Sequence, residues 1–127
     1  MRAWLVGVVV ALGSVAAAAP VPHAVVLREQ RDRANVEGQV WAGDGATAPT
    51  TYSFEKGGVL VYAYNGVTYR NGTWKQEGAE VYWETNNKYC EFRGTVRDGV
   101  LTGKAWNQAG GTWQLTITRQ PPGTPKP

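Results

Sequence analysis

The sequence predicts an all-β protein, an antiparallel up-and-down meander of about eight strands that closes into a small barrel. Residues 36–119 consist of short runs in which apolar and polar side chains alternate, and none of them keeps the apolar spacing of a helix over three turns. Gly, Asn and Asp separate these runs and accept the positive φ angles of tight hairpin turns. Closure would remove both exposed edges of so small a sheet.

The two ends of the chain differ in composition from this central unit. Residues 1–19 carry one Arg, a long apolar run and the sequence Ala17-Ala18-Ala19, which together are typical of a signal peptide cleaved after Ala19. We therefore expect a secreted or periplasmic protein with no membrane attachment after cleavage, and an uncleaved membrane anchor is the alternative. The expected units are a signal peptide at 1–19, a flexible leader at 20–35, the β-barrel domain at 36–119 and a disordered Pro-rich tail at 120–127.

The first four predicted strands place aromatic side chains on inward faces. Alternation puts Tyr52 on one face with Phe54, and Tyr62 on one face with Tyr64. Short turns rich in Gly and Asn connect the strands. All eight predicted strands, in chain order, are Val36–Ala42, Thr50–Glu55, Val59–Tyr64, Val67–Gln76, Glu80–Thr85, Lys88–Val96, Val100–Trp106 and Thr112–Arg119.

The last four predicted strands continue this pattern. Trp83 falls on an apolar face, Phe92 shares a face with Cys90, and Trp113 lies on the face of two aliphatic residues. A thiol on such a face behaves as a small hydrophobe, so we expect Cys90 to be buried. Because the chain has one Cys, no disulfide can form within it.

The formal charge of +3 does not belong to the predicted barrel. Residues 36–119 contain eight Lys or Arg and eight Asp or Glu, so their net charge is zero. The excess of positive charge lies in the signal peptide, the leader and the tail. No basic footprint for nucleic acid is therefore expected.

The barrel region contains few of the residue types that catalysis requires. It has no His and a single Ser, so neither a Ser/His/Asp triad nor a Cys/His pair can be assembled. Glu84 and Glu91 could meet across the turn between them as the acid pair of a carbohydrate-active enzyme, although outward-facing, solvated carboxylates are the more ordinary interpretation. No metal site or cofactor is predicted. Asn71-Gly72-Thr73 is a glycosylation sequon that matters only in a eukaryotic secretory pathway.

Aromatic side chains are the feature that most restricts the function, since residues 36–119 hold thirteen of them. Ordinary core packing explains most aromatic residues in strands, and the alternative is a cavity in which they orient a ligand. Small residues on inward faces, Gly94, Gly103 and Ala105, favour either a gap for a ligand or close backbone packing. The candidate ligand contacts are Tyr62, Tyr64, Trp83, Phe92 and Trp113, and the candidate interaction surface on outward faces is Tyr82 with Trp106.

An eight-strand meander after a signal peptide, with Gly38-Gln39-Val40-Trp41 in its first strand, resembles small lipocalin or calycin-type barrels. The resemblance implies a barrel that binds a small apolar or amphipathic molecule outside the cell or the inner membrane. The lipocalin pattern separates its Gly and Trp by one residue, whereas two intervene here. This places Trp41 on the face opposite Gly38, so the role of the family's Trp is not carried over.

The segment Phe92–Gly103 resembles a unit of MORN repeats, and Tyr69–Gly78 resembles half of another. This second resemblance implies a protein-interaction or structural module of the cell envelope. We expect an exported, noncatalytic barrel that takes a small amphipathic or apolar ligand as its partner. An envelope-protein partner is the alternative, and a carbohydrate-active enzyme is the third.

Overall fold

The computed structural model describes residue 20 and residues 22–25, 34–44 and 49–127. Each strand pairs antiparallel with the next, and the last pairs with the first, so the sheet closes into a barrel in chain order. This confirms the predicted all-β, eight-strand, closed up-and-down meander. The predicted signal peptide lies outside the described residues. The strands are β1 (Val40–Asp44), β2 (Pro49–Glu55), β3 (Val59–Tyr64), β4 (Val67–Glu77), β5 (Glu80–Thr85), β6 (Cys90–Arg97), β7 (Val100–Asn107) and β8 (Thr112–Arg119).

The first strand begins at Val40, although alternation predicts a start at Val36. Gly38 has a φ of 74°, and its N–H donates to the carbonyl of Phe54 at 2.8 Å, so the chain turns before β1. Such a φ is readily available to Gly and strained for other residues. Val36 is therefore carried away from the barrel wall and is fully buried.

One end of the barrel, which we call the closed end, is covered by the segment just before β1. The N–H of Val36 donates to Oε1 of Gln76 at 3.1 Å, and Nε2 of Gln76 donates to the carbonyl of Ala34 at 2.5 Å. Val36 belongs to the apolar core of the barrel. Arg119 lies opposite Trp41 in the β1–β8 pairing and places its guanidinium 5.2 Å from the centre of the indole ring.

The interior of the barrel near the closed end is filled by apolar side chains. Trp41 and Phe54 are fully buried there and meet edge to face, with ring centres 6.4 Å apart. Alternation along β2 brings Phe54 to the inside, as the sequence predicts. Besides Val36, the other fully buried members of this core are Leu60, Val81, Phe92, Leu101 and Ile117.

The C-terminal segment, residues 120–127, contacts the outer wall next to the closed end. The N–H of Gln120 donates to the carbonyl of Val40 at 2.8 Å, and Nζ of Lys126 lies 3.2 Å from the carboxylate of Glu55. On the same outer face, Ser53 lies opposite Val40 in the β1–β2 pairing and Val61 lies opposite Ser53 in the β2–β3 pairing, and both are buried. The disordered tail expected from the sequence stays a prediction, and deletion of this segment would test it.

Candidate functional site

A cavity of about 480 Å³ occupies the half of the barrel opposite the closed end. It lies where β2, β4, β6 and β8 begin, and the turns 65–66, 86–89 and 108–111 surround this open end. We call this space the barrel cavity. Its volume lies within the range of small-molecule sites in proteins.

Four of the five predicted ligand contacts line the barrel cavity, namely Tyr62, Tyr64, Trp83 and Trp113. The fifth, Phe92, is fully buried and lies against Trp83, with ring centres 4.0 Å apart and planes 21° apart. Phe92 therefore packs against a lining residue, Trp83, and does not itself line the cavity. Phe92 faces inward as predicted. Whether an inward side chain reaches the cavity depends on where along the barrel axis the packed core ends.

Small inward residues have two different roles in this barrel. A Cβ atom on Gly94 would lie 2.5 Å from the carbonyl oxygen of Thr102, and one on Gly103 would collide with the backbone of β6. These two glycines allow close packing of β6 against β7. Ala105 instead lines the barrel cavity opposite Trp113 in the β7–β8 pairing, where its small side chain leaves space. Of the two readings that the sequence leaves open, backbone packing applies to both glycines and a gap applies to Ala105.

Aromatic rings form a continuous series along one side of the barrel cavity. Tyr69 stacks on Tyr62 at 5.2 Å, and Tyr62 stacks on Tyr52 at 6.4 Å. Tyr52 then contacts Trp83 at 5.0 Å with the ring planes tilted by 37°, and Trp83 stacks on Phe92. Each ring is supported by a neighbouring ring on an adjacent strand, except that the contact between Tyr52 of β2 and Trp83 of β5 crosses the interior of the barrel. These contacts restrict the rotation of the rings. The wall is therefore a preformed apolar surface.

A β-bulge in β4 brings an amide group to the same wall. Leu60 pairs with Gly72 and Tyr62 pairs with Tyr69, so two residues of β4 lie opposite Val61 alone. A bulge changes the direction in which the side chain of its extra residue points. Asn71, within the bulge, lines the barrel cavity, and its Oδ1 accepts a hydrogen bond of 2.7 Å from the hydroxyl of Tyr62.

Burial favours the neutral forms of three side chains on the inner wall, those of Tyr52, Tyr62 and Cys90. Burial raises the pKa of Tyr52 to about 12, against a smaller opposing effect of its hydrogen bond with Thr50. Burial also raises the pKa of Tyr62 and that of the Cys90 thiol. Cys90 faces inward as predicted, but it is only partly buried because it lines the barrel cavity.

The turn between β5 and β6 shapes one side of the open end. Asn86, Asn87 and Lys88 have φ angles of 52°, 51° and 61°, so three consecutive residues other than glycine adopt the left-handed conformation. The turn is held by Gln108, whose N–H donates to the carbonyl of Tyr89 at 2.9 Å and whose Nε2 donates to the carbonyl of Lys88 at 3.1 Å. Neighbouring turns are thus joined to each other around the cavity entrance.

Tyr82 and Trp106 come together on the outer wall around Glu91. The Tyr82 hydroxyl lies 2.5 Å from Oε1 of Glu91 and 3.1 Å from Oε2 of Glu84, and the indole N–H of Trp106 donates to Oε2 of Glu91 at 2.8 Å. The hydrogen bond from Tyr82, followed by that from Trp106, lowers the pKa of Glu91. Burial and the two neighbouring carboxylates raise the pKa of Tyr82. We call these four residues the outer-wall cluster. Its two aromatic rings are half-buried.

Glu84 and Glu91 are directly opposite each other in the β5–β6 pairing, so they meet as the sequence suggests. Both carboxylates approach the Tyr82 hydroxyl on the outside of the barrel, and Lys88 lies 4.0 Å from Glu84. A glycosidase requires one carboxyl group that stays protonated to act as an acid. The lowered pKa of Glu91 keeps that residue ionised, which does not fit such a role.

The lining residues that were not among the sequence-predicted contacts include Tyr69, Asn71 and Tyr89. Tyr69 and Asn71 precede and form the bulge, where simple alternation does not apply. Tyr89 belongs to a turn, whose side-chain direction alternation cannot predict. The register of β3 with β4 would have shown that Tyr69 and Asn71 face inward. That register is set by contacts between the two strands, which the sequence of one strand does not give.

Over the described part of the chain, no three His, Cys, Asp or Glu side chains are grouped closely enough to hold a metal ion. No helix within the same residues is both long and apolar enough to cross a membrane. No protein-family model, curated protein or solved structure matches this chain.

Proposed function

We propose that this protein is a noncatalytic binding protein that holds one small, partly apolar molecule in the barrel cavity. The observation that carries the proposal is the preformed space of about 480 Å³ beside a series of stacked aromatic rings. An interior filled by these side chains would have argued against a ligand. Here the rings support one another along the wall, and the volume beside them stays open.

The shape of the barrel supports this proposal. One half is filled by the apolar core, which can provide stability independently of a ligand. The other half combines large apolar surfaces with a few hydroxyl and amide groups, among them Tyr62 and Asn71. This combination of many apolar contacts and few polar ones is typical of sites that bind and orient small molecules.

Native mass spectrometry of the protein purified from its own source would test the proposal. We expect an adduct of a small molecule on the unmodified chain. Ala105→Leu should remove the adduct, because Ala105 lines the cavity and the larger side chain would occupy ligand space. The same exchange at Ala63, which alternates outward between Tyr62 and Tyr64, is the matched control and should keep the adduct.

Two outcomes would contradict this proposal. One is a ligand-free mass for the unmodified protein under conditions that preserve weak complexes. The other is an adduct that survives Ala105→Leu, since the molecule would then be bound elsewhere. Thermal unfolding of both variants would show that each still folds, so loss of the adduct could be assigned to the cavity.

An envelope interaction module is the second candidate, and the outer-wall cluster is the feature that favours it. Tyr82 and Trp106 lie side by side as such a module would require. Both rings are half-buried, and their polar atoms already bind Glu91, which leaves less of them for a partner protein. We therefore place this function after ligand binding.

A further inference from the structure

We infer that the ligand of the barrel cavity is an uncharged molecule with a flat ring system and a hydroxyl or carbonyl group, and that the cavity selects against carboxylates and cations. This inference rests on the proposed binding function and names the chemical class of the ligand. Three properties of the wall carry it: its charges, the orientation of its rings and its hydrogen-bonding groups.

The first property is the lack of a counter-charge. Among the described residues that line the barrel cavity there is no Lys, Arg or His, and Glu91 is the only Asp or Glu. The carboxylate of Glu91 is engaged on the outer wall by Tyr82 and Trp106. An ionised ligand would therefore lose water contacts without gaining an oppositely charged partner.

The exposed cation nearest in sequence to this wall is Lys88, in the turn between β5 and β6. Its Nζ lies 4.0 Å from the carboxylate of Glu84, on the outside of the barrel. Two carboxylates, Glu84 and Glu91, stand beside this single ammonium group. The rim at this turn therefore offers a carboxylate ligand no net attraction.

The second property is the orientation of the rings. Tyr62 has neighbours stacked on both sides, Tyr69 at 5.2 Å and Tyr52 at 6.4 Å. Trp83 stacks on Phe92 at 4.0 Å. Because neighbouring rings cover both faces of Tyr62 and one face of Trp83, these faces are not open to a cation, which binds over the face of a ring. The remaining surface of the series favours contact with another flat ring.

The third property is the set of polar groups. The hydroxyl of Tyr62 donates to Asn71 and has a further hydrogen bond with Thr85, while the amide nitrogen of Asn71 can still donate to a ligand. The raised pKa values of Tyr52 and Tyr62 keep both hydroxyls protonated across the physiological range. A hydroxyl or carbonyl on the ligand would accept from the amide of Asn71, whereas a purely hydrocarbon ligand would leave that amide without this partner.

Calorimetric titration with three probes of one ring size would test the inference. The probes are 2-naphthalenemethanol, which is neutral, 2-naphthoate, which is anionic, and (2-naphthylmethyl)trimethylammonium, which is cationic. We expect the neutral probe to bind at least about tenfold more tightly than either charged probe at neutral pH. Equal or tighter binding of a charged probe would overturn the inference.

Asn71→Lys provides a second test, since it places an ammonium group at the edge of the barrel cavity on an exposed position. It should raise the affinity for 2-naphthoate about tenfold relative to 2-naphthalenemethanol. Thr73→Lys adds the same charge at an exposed position of β4 that alternates outward, and it should leave the ratio of the two affinities unchanged. An unchanged ratio in Asn71→Lys would also contradict the inference.

These outcomes separate the inference from the proposed function. If native mass spectrometry shows an adduct removed by Ala105→Leu but the neutral probe does not bind preferentially, the ligand class is wrong and the binding function stands. If no adduct is found and no probe binds, the binding function itself is wrong.

Discussion

Glu91 is a half-buried residue whose two carboxylate oxygens each accept a hydrogen bond from an aromatic residue, Tyr82 and Trp106. These bonds lower its pKa in the folded protein, so the unfolded chain binds a proton more readily. Stability from this group should be complete above its unfolded pKa of about 4.3 and be lost as the pH falls through the lower folded value.

Urea unfolding from pH 7 to pH 2 would measure this dependence in the unmodified protein and in Glu91→Gln. We expect the two proteins to differ at pH 7 and to converge in acid, because the unmodified residue is then protonated as well. Glu37→Gln removes an exposed carboxylate outside the outer-wall cluster and serves as the control. A difference between the unmodified protein and Glu91→Gln that persists unchanged at pH 2 would contradict the assignment.

Inward and outward orientation was largely predictable residue by residue, because it follows from the two-residue period of a strand. The opposite orientations of Trp83 and Tyr82 are an example. The position of an inward side chain along the barrel axis was not predictable from alternation. Phe92 and Trp113 both face inward, yet one is fully buried and the other lines the barrel cavity. Their difference depends on their height along the barrel, which is set by all eight strands together.

At the scale of single elements, β4 shows where a periodic pattern stops being informative. Its bulge changes the alternation partway along the strand and brings Asn71 to the hydroxyl of Tyr62. A bulge arises from the pairing of two strands, so neither strand contains enough information to predict it. Similarly, the start of β1 was predicted too early because the turn at Gly38 interrupts a run that alternation alone would continue.

The segment that covers the closed end depends on one side chain of β4. Gln76 accepts from the N–H of Val36 and donates to the carbonyl of Ala34. Gln76→Ala would leave the N–H of fully buried Val36 without this partner, so we expect the free energy of unfolding to fall by about 1–3 kcal/mol. Urea unfolding would measure the loss, and hydrogen exchange should show faster exchange at Val36.

Gln114→Ala is the matched control for this prediction, since Gln114 is an exposed glutamine on β8. We expect its effect to stay within about 0.5 kcal/mol. Equal effects of the two substitutions would show that Gln76 does not hold the segment before β1 in place.

At the scale of the whole molecule, the C-terminal segment extends the outer wall. Deleting residues 120–127 should expose part of Val40 and Val61, so we expect a loss of about 1–3 kcal/mol in the free energy of unfolding. Lys126→Ala should cost less than about 1 kcal/mol, because the pair with Glu55 is solvent-exposed. A deletion without effect on urea unfolding would instead favour the disordered tail predicted from the sequence.

The barrel topology as a whole was accessible from the sequence, because the turn residues and the number of strands left one closed arrangement as the simplest. The existence of the barrel cavity could not be predicted from the sequence. Whether the half of the interior near Ala105 is filled or open depends on how aromatic rings from five strands pack against one another, as Tyr52 does against Trp83. Composition alone is compatible with both outcomes.

Because the meander has an even number of antiparallel strands, its first strand begins and its last strand ends at the same end of the barrel. The chain enters the barrel at Val40 and leaves it at Arg119, and both points lie at the closed end, on the side away from the cavity entrance. Anything attached before Val40 or after Arg119, such as an affinity tag or an immobilising linker, would hold the barrel with its entrance directed away from the point of attachment. The protein could therefore be fixed to a sensor surface through either end with its entrance facing the solution.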